Sequence, residues 1–196
     1  MTDYMLEAFK GTRTAGNIAS AALDEVANII KPGIKTSEID KLCFEFINDH
    51  KALSAPLFYR GFPKTCCTST NHIVCHGIPK DKILKEGDIL NVDVTVLKDG
   101  WHGDTSRMYF AGEVSTKAKK LVKAAYDSMI KSIKILKNGV MVGDIGYEIQ
   151  SHVEKLGFSV VRDFCGHGVG KNFHEPPNIL HYGKPKTGEQ LKTGMI

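Results

Sequence analysis

The stretch Ile89-Leu90-Asn91-Val92-Asp93-Val94-Thr95-Val96-Leu97-Lys98-Asp99-Gly100-Trp101-His102-Gly103-Asp104-Thr105-Ser106-Arg107-Met108-Tyr109-Phe110 sets two runs rich in β-formers around an Asp-Gly dipeptide. That dipeptide between two such runs signals a tight antiparallel hairpin. A two-residue turn at Asp99-Gly100 pairs Lys98 with Trp101 and Thr95 with Asp104, which puts Asp104 on the same face as Asp93 and diagonally across from it. A three-residue turn would send one carboxylate to the other face. Carboxylates are disfavoured in strands. On a buried face two of them repel and lose hydration, costs that a divalent cation relieves; on a wet face they need no partner.

Upstream of the hairpin the pattern is helical. Ile18, Ala22, Val26 and Ile30 recur at helical spacing until Lys31-Pro32-Gly33 stops the run. Ser37 with Asp40 reads as a capping-box variant, and Ile39, Leu42, Cys43, Phe46 and Ile47 form the apolar stripe of a second helix. From about Phe58 to Phe110 glycine-punctuated extended segments follow. Downstream, Leu121, Val122, Ala125, Met129, Ile133 and Leu136 form a helix that breaks at Asn138-Gly139. The pattern resumes through Ile145, Ile149, Val153 and Leu156, and an extended segment is expected from Phe158 to Phe164.

This order repeats. Ile30-Lys31-Pro32-Gly33-Ile34 recurs as Leu136-Lys137-Asn138-Gly139-Val140, 106 positions later, and Leu84-Lys85-Glu86-Gly87-Asp88-Ile89 as Leu191-Lys192-Thr193-Gly194-Met195-Ile196, 107 later. The spacing predicts two similar α+β halves, about 12–110 and 115–196, within one domain, 1–196. The strand expected to follow Ile196 as Ile89 to Leu97 follows Asp88 is not in the chain, so the second half reads as incomplete.

With 196 residues, 42% hydrophobic and 24% charged, the chain reads as one globular domain rather than a disordered segment. Its formal charge of +4, from 26 basic and 22 acidic residues mixed along the chain, fits a solvated lysine-rich surface better than a nucleic-acid stripe. Five cysteines with no C-x-x-C argue against a disulfide framework and a structural zinc site, and point to reducing, cytoplasmic surroundings. Met1 to Gly16 has no apolar run and reads as no signal or transit peptide. No apolar stretch approaches the ~20 residues that span a bilayer.

Three histidines stand out. His76 and His167 each sit beside glycine, and His174 precedes Glu175-Pro176-Pro177. Small neighbours let a ligand approach the imidazole closely, and oxygen ligands with imidazole suit Mn, Fe, Co or Zn at catalytic sites.

Cys75-His76-Gly77-Ile78-Pro79, the blocks Asn91 to Val96 and Asp99 to Ser106, Gly166-His167-Gly168-Val169-Gly170 and Phe173-His174-Glu175-Pro176 resemble, in order and spacing, the signature blocks of bacterial type I methionine aminopeptidases. The resemblance implies the pita-bread fold, an antiparallel sheet flanked by the helices of two pseudo-symmetric halves. It implies two divalent cations (Co²⁺, Mn²⁺, Fe²⁺ or Zn²⁺) held by Asp93, Asp104 as the bridging ligand, and His167. Two further glutamate ligands of the family lie beyond Ile196, so this chain alone is expected to bind metal weakly and to show little activity. His174 is similar to the histidine that contacts the carbonyl oxygen, and His76 to the one that hydrogen-bonds near the scissile amide. Tyr59, Phe62, Cys67 and Phe173 match the methionine pocket; without the family they read as core residues. The implied substrate is the N-terminus of a nascent polypeptide with a small second residue. Also implied are a transient ribosome contact, no membrane partner and a monomer at full length. Two other readings are a proline-specific aminopeptidase or prolidase and a catalytically inactive binding module on the same scaffold.

Overall fold

The computed structural model describes residues 2–196, so Met1 lies outside it. The described residues form two compact units, 2–115 with 170–173, and 116–169 with 174–196.

In the first unit, α1 (Asp3–Ile29) and α2 (Thr36–Asp49) pack with a four-stranded antiparallel sheet of β1 (Leu53–Ser54), β2 (Cys67–Thr70), β3 (Asp88–Lys98) and β4 (Trp101–Ala111). The predicted hairpin forms with Lys98 opposite Trp101 and Thr95 opposite Asp104. Asp99 at φ 49° and Gly100 at φ 82° make the turn, a pair of left-handed residues that matches the twist of the strands. Leu90, Val92, Val94 and Val96 of β3 are fully buried with Leu23 and Val26 of α1 and Ile39, Cys43 and Ile47 of α2.

Both helices differ from what their sequence patterns predict. Helix α1 starts at Asp3, capped by the Thr2 hydroxyl, rather than near Ile18. Its early buried face is Ala8, Thr12 and Ala15, too small and too polar to register as an apolar stripe. At α2 the capping carboxylate is Glu38, which accepts from the Lys35 backbone N–H at 2.8 Å. Asp40 is buried instead, accepting from the Thr65 and Cys66 backbone N–H groups and pairing with Lys64 at 3.6 Å. Ser37 donates to Asp81.

Small residues bring α1 against β4. A Cβ at Gly103 would lie 2.1 Å from the Gly16 backbone nitrogen, whereas a Cβ at Gly16 itself would meet nothing within 4 Å. Gly103→Ala must therefore push the helix off the hairpin and is expected to destabilise by about 3 kcal/mol. Gly16→Ala is expected to stabilise by up to about 1 kcal/mol through helix propensity. Urea denaturation of the two variants checks both signs, and equal midpoints would refute the close-approach reading.

In the second unit, α3 (Thr116–Lys134) packs against α4 (Val142–Lys155), and β5 (Gly166–Gly168) pairs with β6 (Glu175–Ile179). Phe158 to Phe164 forms no strand, contrary to the sequence reading. Local hydrogen bonds of the first unit recur here. Gly33 N–H donates to Leu84 O and Leu84 N–H to Ile34 O; Gly139 N–H donates to Leu191 O and Leu191 N–H to Val140 O. The cap, Lys35 N–H to Glu38 in the first unit, recurs as Met141 N–H to Asp144, 106 positions later. What does not recur among the described residues is a long hairpin. Leu121 and Met129 of α3 stand 106 positions after Ala15 and Leu23 of α1, which β3 and β4 help to bury, yet they are 43% and 45% exposed.

Candidate functional site

Strands β3 and β4 carry the two carboxylates. Because Thr95 faces Asp104 and side chains alternate, Asp93 lies one pleat further along the same face. The Thr95 hydroxyl donates to Asp104 Oδ1 at 2.7 Å and fixes its direction. Burial first, and then the nearby Asp104 charge, push the Asp93 carboxyl up to about 7. That penalty is what a bound cation relieves, so the donor pair fits one side of a cation site. The described residues contain no group of three or more His, Cys, Asp or Glu arranged to hold a metal ion.

Cys67 stands opposite Asp93 on β2. Its thiol is pushed up to about 12, first by burial and then by the Asp93 charge, which keeps it neutral at any physiological pH. It is no nucleophile, and presents a soft, polarizable wall. Tyr59 and Phe173 stand with ring centroids 4.8 Å apart, tilted by 55°. Phe58 and Arg60 flank Tyr59 at φ 66° and 49°. Non-glycine residues rarely adopt such angles, and they collect at binding and catalytic sites. His76 is a third case, at φ 54°, on a loop held by Thr68 N–H to Gly77 O and by Gly77 N–H to the Ser69 hydroxyl.

The second unit carries His167 and His174, their ring centroids 4.3 Å apart. His167 Nδ1 stands 2.8 Å from the Gly168 carbonyl oxygen and so carries the proton. In the neutral ring, Nε2 is then the nitrogen with a lone pair for a ligand. His167 also lines a cavity of about 520 Å³ with Ile133, Ile149, Ile179, His181 and Ile196.

The sequence profile of metallopeptidase family M24 matches residues 10–196. The chain belongs to this family. It is 54% identical over 184 residues to a methionine aminopeptidase of Rickettsia prowazekii (strain Madrid E), covering 94% of this chain and 71% of that protein. The crystal structure of methionine aminopeptidase from Rickettsia prowazekii superposes with a TM-score of 0.95 at 53% identity, over 96% of this chain and 76% of that one. A prolidase from Pyrococcus furiosus, at 20% identity and a TM-score of 0.81 over 96% of this chain and 54% of that one, shares the fold alone. The fold is the pita-bread fold. The identities place the chain among the methionine aminopeptidases, metallo-exopeptidases of the hydrolase class.

Asp93, Asp104, Tyr59, Phe62, Cys67, Phe173 and His76 all belong to the first unit, and His167 and His174 to the second. Thr95 and His102 are not singled out by the sequence reading. The signal for Thr95 is present in the register, which sets it opposite Asp104; the position of His102 in the Trp-His-Gly-Asp block carries no such signal.

Proposed function

We propose that the chain carries the machinery for metal-dependent removal of an N-terminal methionine followed by a small residue. The observation that carries this reading is the pair Asp93 and Asp104 on one face of a hairpin, with burial raising one of them. Asp93, Asp104 and His167 would hold two divalent cations of the Mn²⁺, Fe²⁺, Co²⁺ or Zn²⁺ class, which when bound supply Lewis-acid polarisation and activated water. Three protein donors of oxygen and imidazole type, without thiolate, favour that class.

The other residues act on the substrate. Tyr59, Phe62, Cys67 and Phe173 would enclose the methionine side chain, where aromatic faces and a neutral thiol suit a thioether. His174 would donate to the carbonyl oxygen as negative charge develops there, and His76 would hydrogen-bond near the scissile amide. Substrate N-termini would come from nascent chains in the cytoplasm, met by a monomer in transient contact with the ribosome. The five free cysteines favour a reducing compartment, and among the described residues no helix is long and apolar enough to cross a membrane.

The test is methionine release from Met-Ala and Met-Leu peptides with and without Mn²⁺ or Co²⁺. It is run on this chain and on a chimera that adds the part of the Rickettsia prowazekii relative outside the matched residues. Metal-dependent release from Met-Ala over Met-Leu by the chimera supports the reading, and release from Xaa-Pro peptides instead would favour the prolidase alternative. In the active form His174→Ala is expected to lower kcat by about 10²-fold with little change in KM, because its contact strengthens in the transition state. Unchanged kcat would remove His174 from the mechanism.

A further inference from the structure

His102 is buried at the start of β4, 8% exposed, and both of its polar groups on this side meet one acceptor. Its backbone N–H donates to the Gly170 carbonyl at 2.8 Å, and its Nδ1 lies 3.0 Å from the same oxygen. A carbonyl only accepts, so Nδ1 carries a proton in whichever state the ring occupies. The ring also stacks on Phe173, with centroids 5.8 Å apart and an interplanar angle of 12°. Phe173 in turn meets Tyr59.

Gly170–Phe173 packs with the first unit although the residues on either side of it belong to the second. Four residues cannot make a core of their own, so their position is set by what grips them. His102 grips both ends of the segment, at the Gly170 carbonyl and at the Phe173 ring. Lys171 adds a third hold, with Nζ 5.0 Å from the centroid of Trp101, 5.8 Å from that of Tyr4 and 4.0 Å from Glu7 Oε1. Exposed cation–π and ion-pair contacts of this kind are weak, about 0.5–1 kcal/mol each. The buried carbonyl clamp is the stronger: the backbone N–H and Nδ1 of His102 share one oxygen, and losing Nδ1 leaves one of its two lone pairs unpaired away from water.

We propose that His102 is a positioning residue for methionine selection. It fixes the Gly170–Phe173 segment on β4 so that the Phe173 ring stands at the angle to Tyr59 that a methionine side chain requires. The proposal rests on the reading of Tyr59 and Phe173 as walls of the methionine pocket. It gives His102 no contact with the substrate.

Two substitutions separate its two holds. His102→Gln keeps a side-chain donor and loses the ring; His102→Phe keeps the stacking and loses the donor. The readouts on this chain are ring–ring nuclear Overhauser contacts between Tyr59 and Phe173, binding of L-methionine followed by NMR line shape, and thermal midpoint. Wild type is expected to show the ring contacts. His102→Ala is expected to lose them and to weaken methionine binding by five- to tenfold. His102→Gln and His102→Phe should each restore part of both, which a general loss of stability would not do. Phe173→Ala should lose as much affinity as His102→Ala, and the double variant no more than either, because both act through one ring. Ring contacts and affinity unchanged in His102→Ala would overturn the proposal, as would additive losses in the double variant. If wild type binds no methionine but His102→Ala still loses the ring contacts, His102 positions the segment and the pocket reading is the one that fails. If His102→Ala does not fold, the Gln and Phe variants decide: unaltered ring contacts in both would overturn the proposal.

Discussion

Asp104→Asn, introduced into the chimera with the Rickettsia prowazekii relative, is expected to lower methionine release by at least about 10³-fold while leaving the metal-free fold as stable as before or more so. The two effects have opposite signs for one physical reason. Burial first, and then the Asp104 negative charge beside it, raise the Asp93 carboxyl to about 7. Removing that charge relieves repulsion in the empty fold, and removes an anionic donor from the cations that the pair would hold. Lewis-acid stabilisation is worth several kcal/mol, and each 1.36 kcal/mol of barrier is tenfold in rate, so three orders of magnitude is the scale to expect. Titration calorimetry with Mn²⁺ should show weakened binding in the same variant. Since the Thr95 hydroxyl donates to Asp104, Thr95→Val should give a smaller loss of the same kind, about tenfold. A chimera that keeps a tenth of its activity as Asp104→Asn would place the cations elsewhere.

The second large effect is on stability. In the metal-free chain the Asp93 carboxyl goes from the ordinary value of 3.8 in the unfolded chain to about 7 in the fold. The folded chain therefore binds a proton that the unfolded chain has released, over the window between those two values. Stability from this group is fully present below pH ~4 and is lost as pH rises through ~7. The loss is up to about 4 kcal/mol at 1.36 kcal/mol per unit, an upper bound because water reaches part of the site. Urea unfolding in the presence of a chelator should show stability falling from pH 5 to pH 8. Asp93→Asn should flatten that slope. Saturating Mn²⁺ should reverse it for the wild type, since a cation binds the ionised carboxylate. A metal-free chain whose stability is level from pH 5 to pH 8 would mean that Asp93 is better hydrated than its burial implies.

The second unit differs from the first in a way that bears on both experiments. Its local hydrogen bonds repeat those of the first, but Leu121, Met129, Ile133 and Leu136 on and just after α3 are exposed. An apolar face of that kind favours self-association. The metal-free chain should accordingly be studied at low concentration, with its oligomeric state measured alongside.

Local rules carry the hairpin. The Asp99-Gly100 turn, period-2 alternation and the positions of Asp93 and Asp104 are set by neighbours in the chain, so register and shared face are legible in the residues themselves. The repeat is legible for a similar reason: a lysine-glycine helix stop and the cap that follows it are short-range devices, and each recurs with its own hydrogen bonds. Residues that act through distant partners are not legible in this way. Asp40 sits at capping spacing from Ser37, yet it turns inward because Thr65 and Cys66, some 25 residues on, offer backbone donors. Helix α1 runs back to Asp3 because Gly103 and Trp101 provide a surface for its small residues, which no hydrophobic pattern announces. Likewise His102 reaches Gly170 across 68 positions, and Phe173 reaches Tyr59 across more than a hundred. Sequence by itself therefore determined which chemical groups share a strand face. Only the tertiary structure decided how deeply Asp93 is buried and what holds Phe173, since both depend on which distant segments exclude water from those groups.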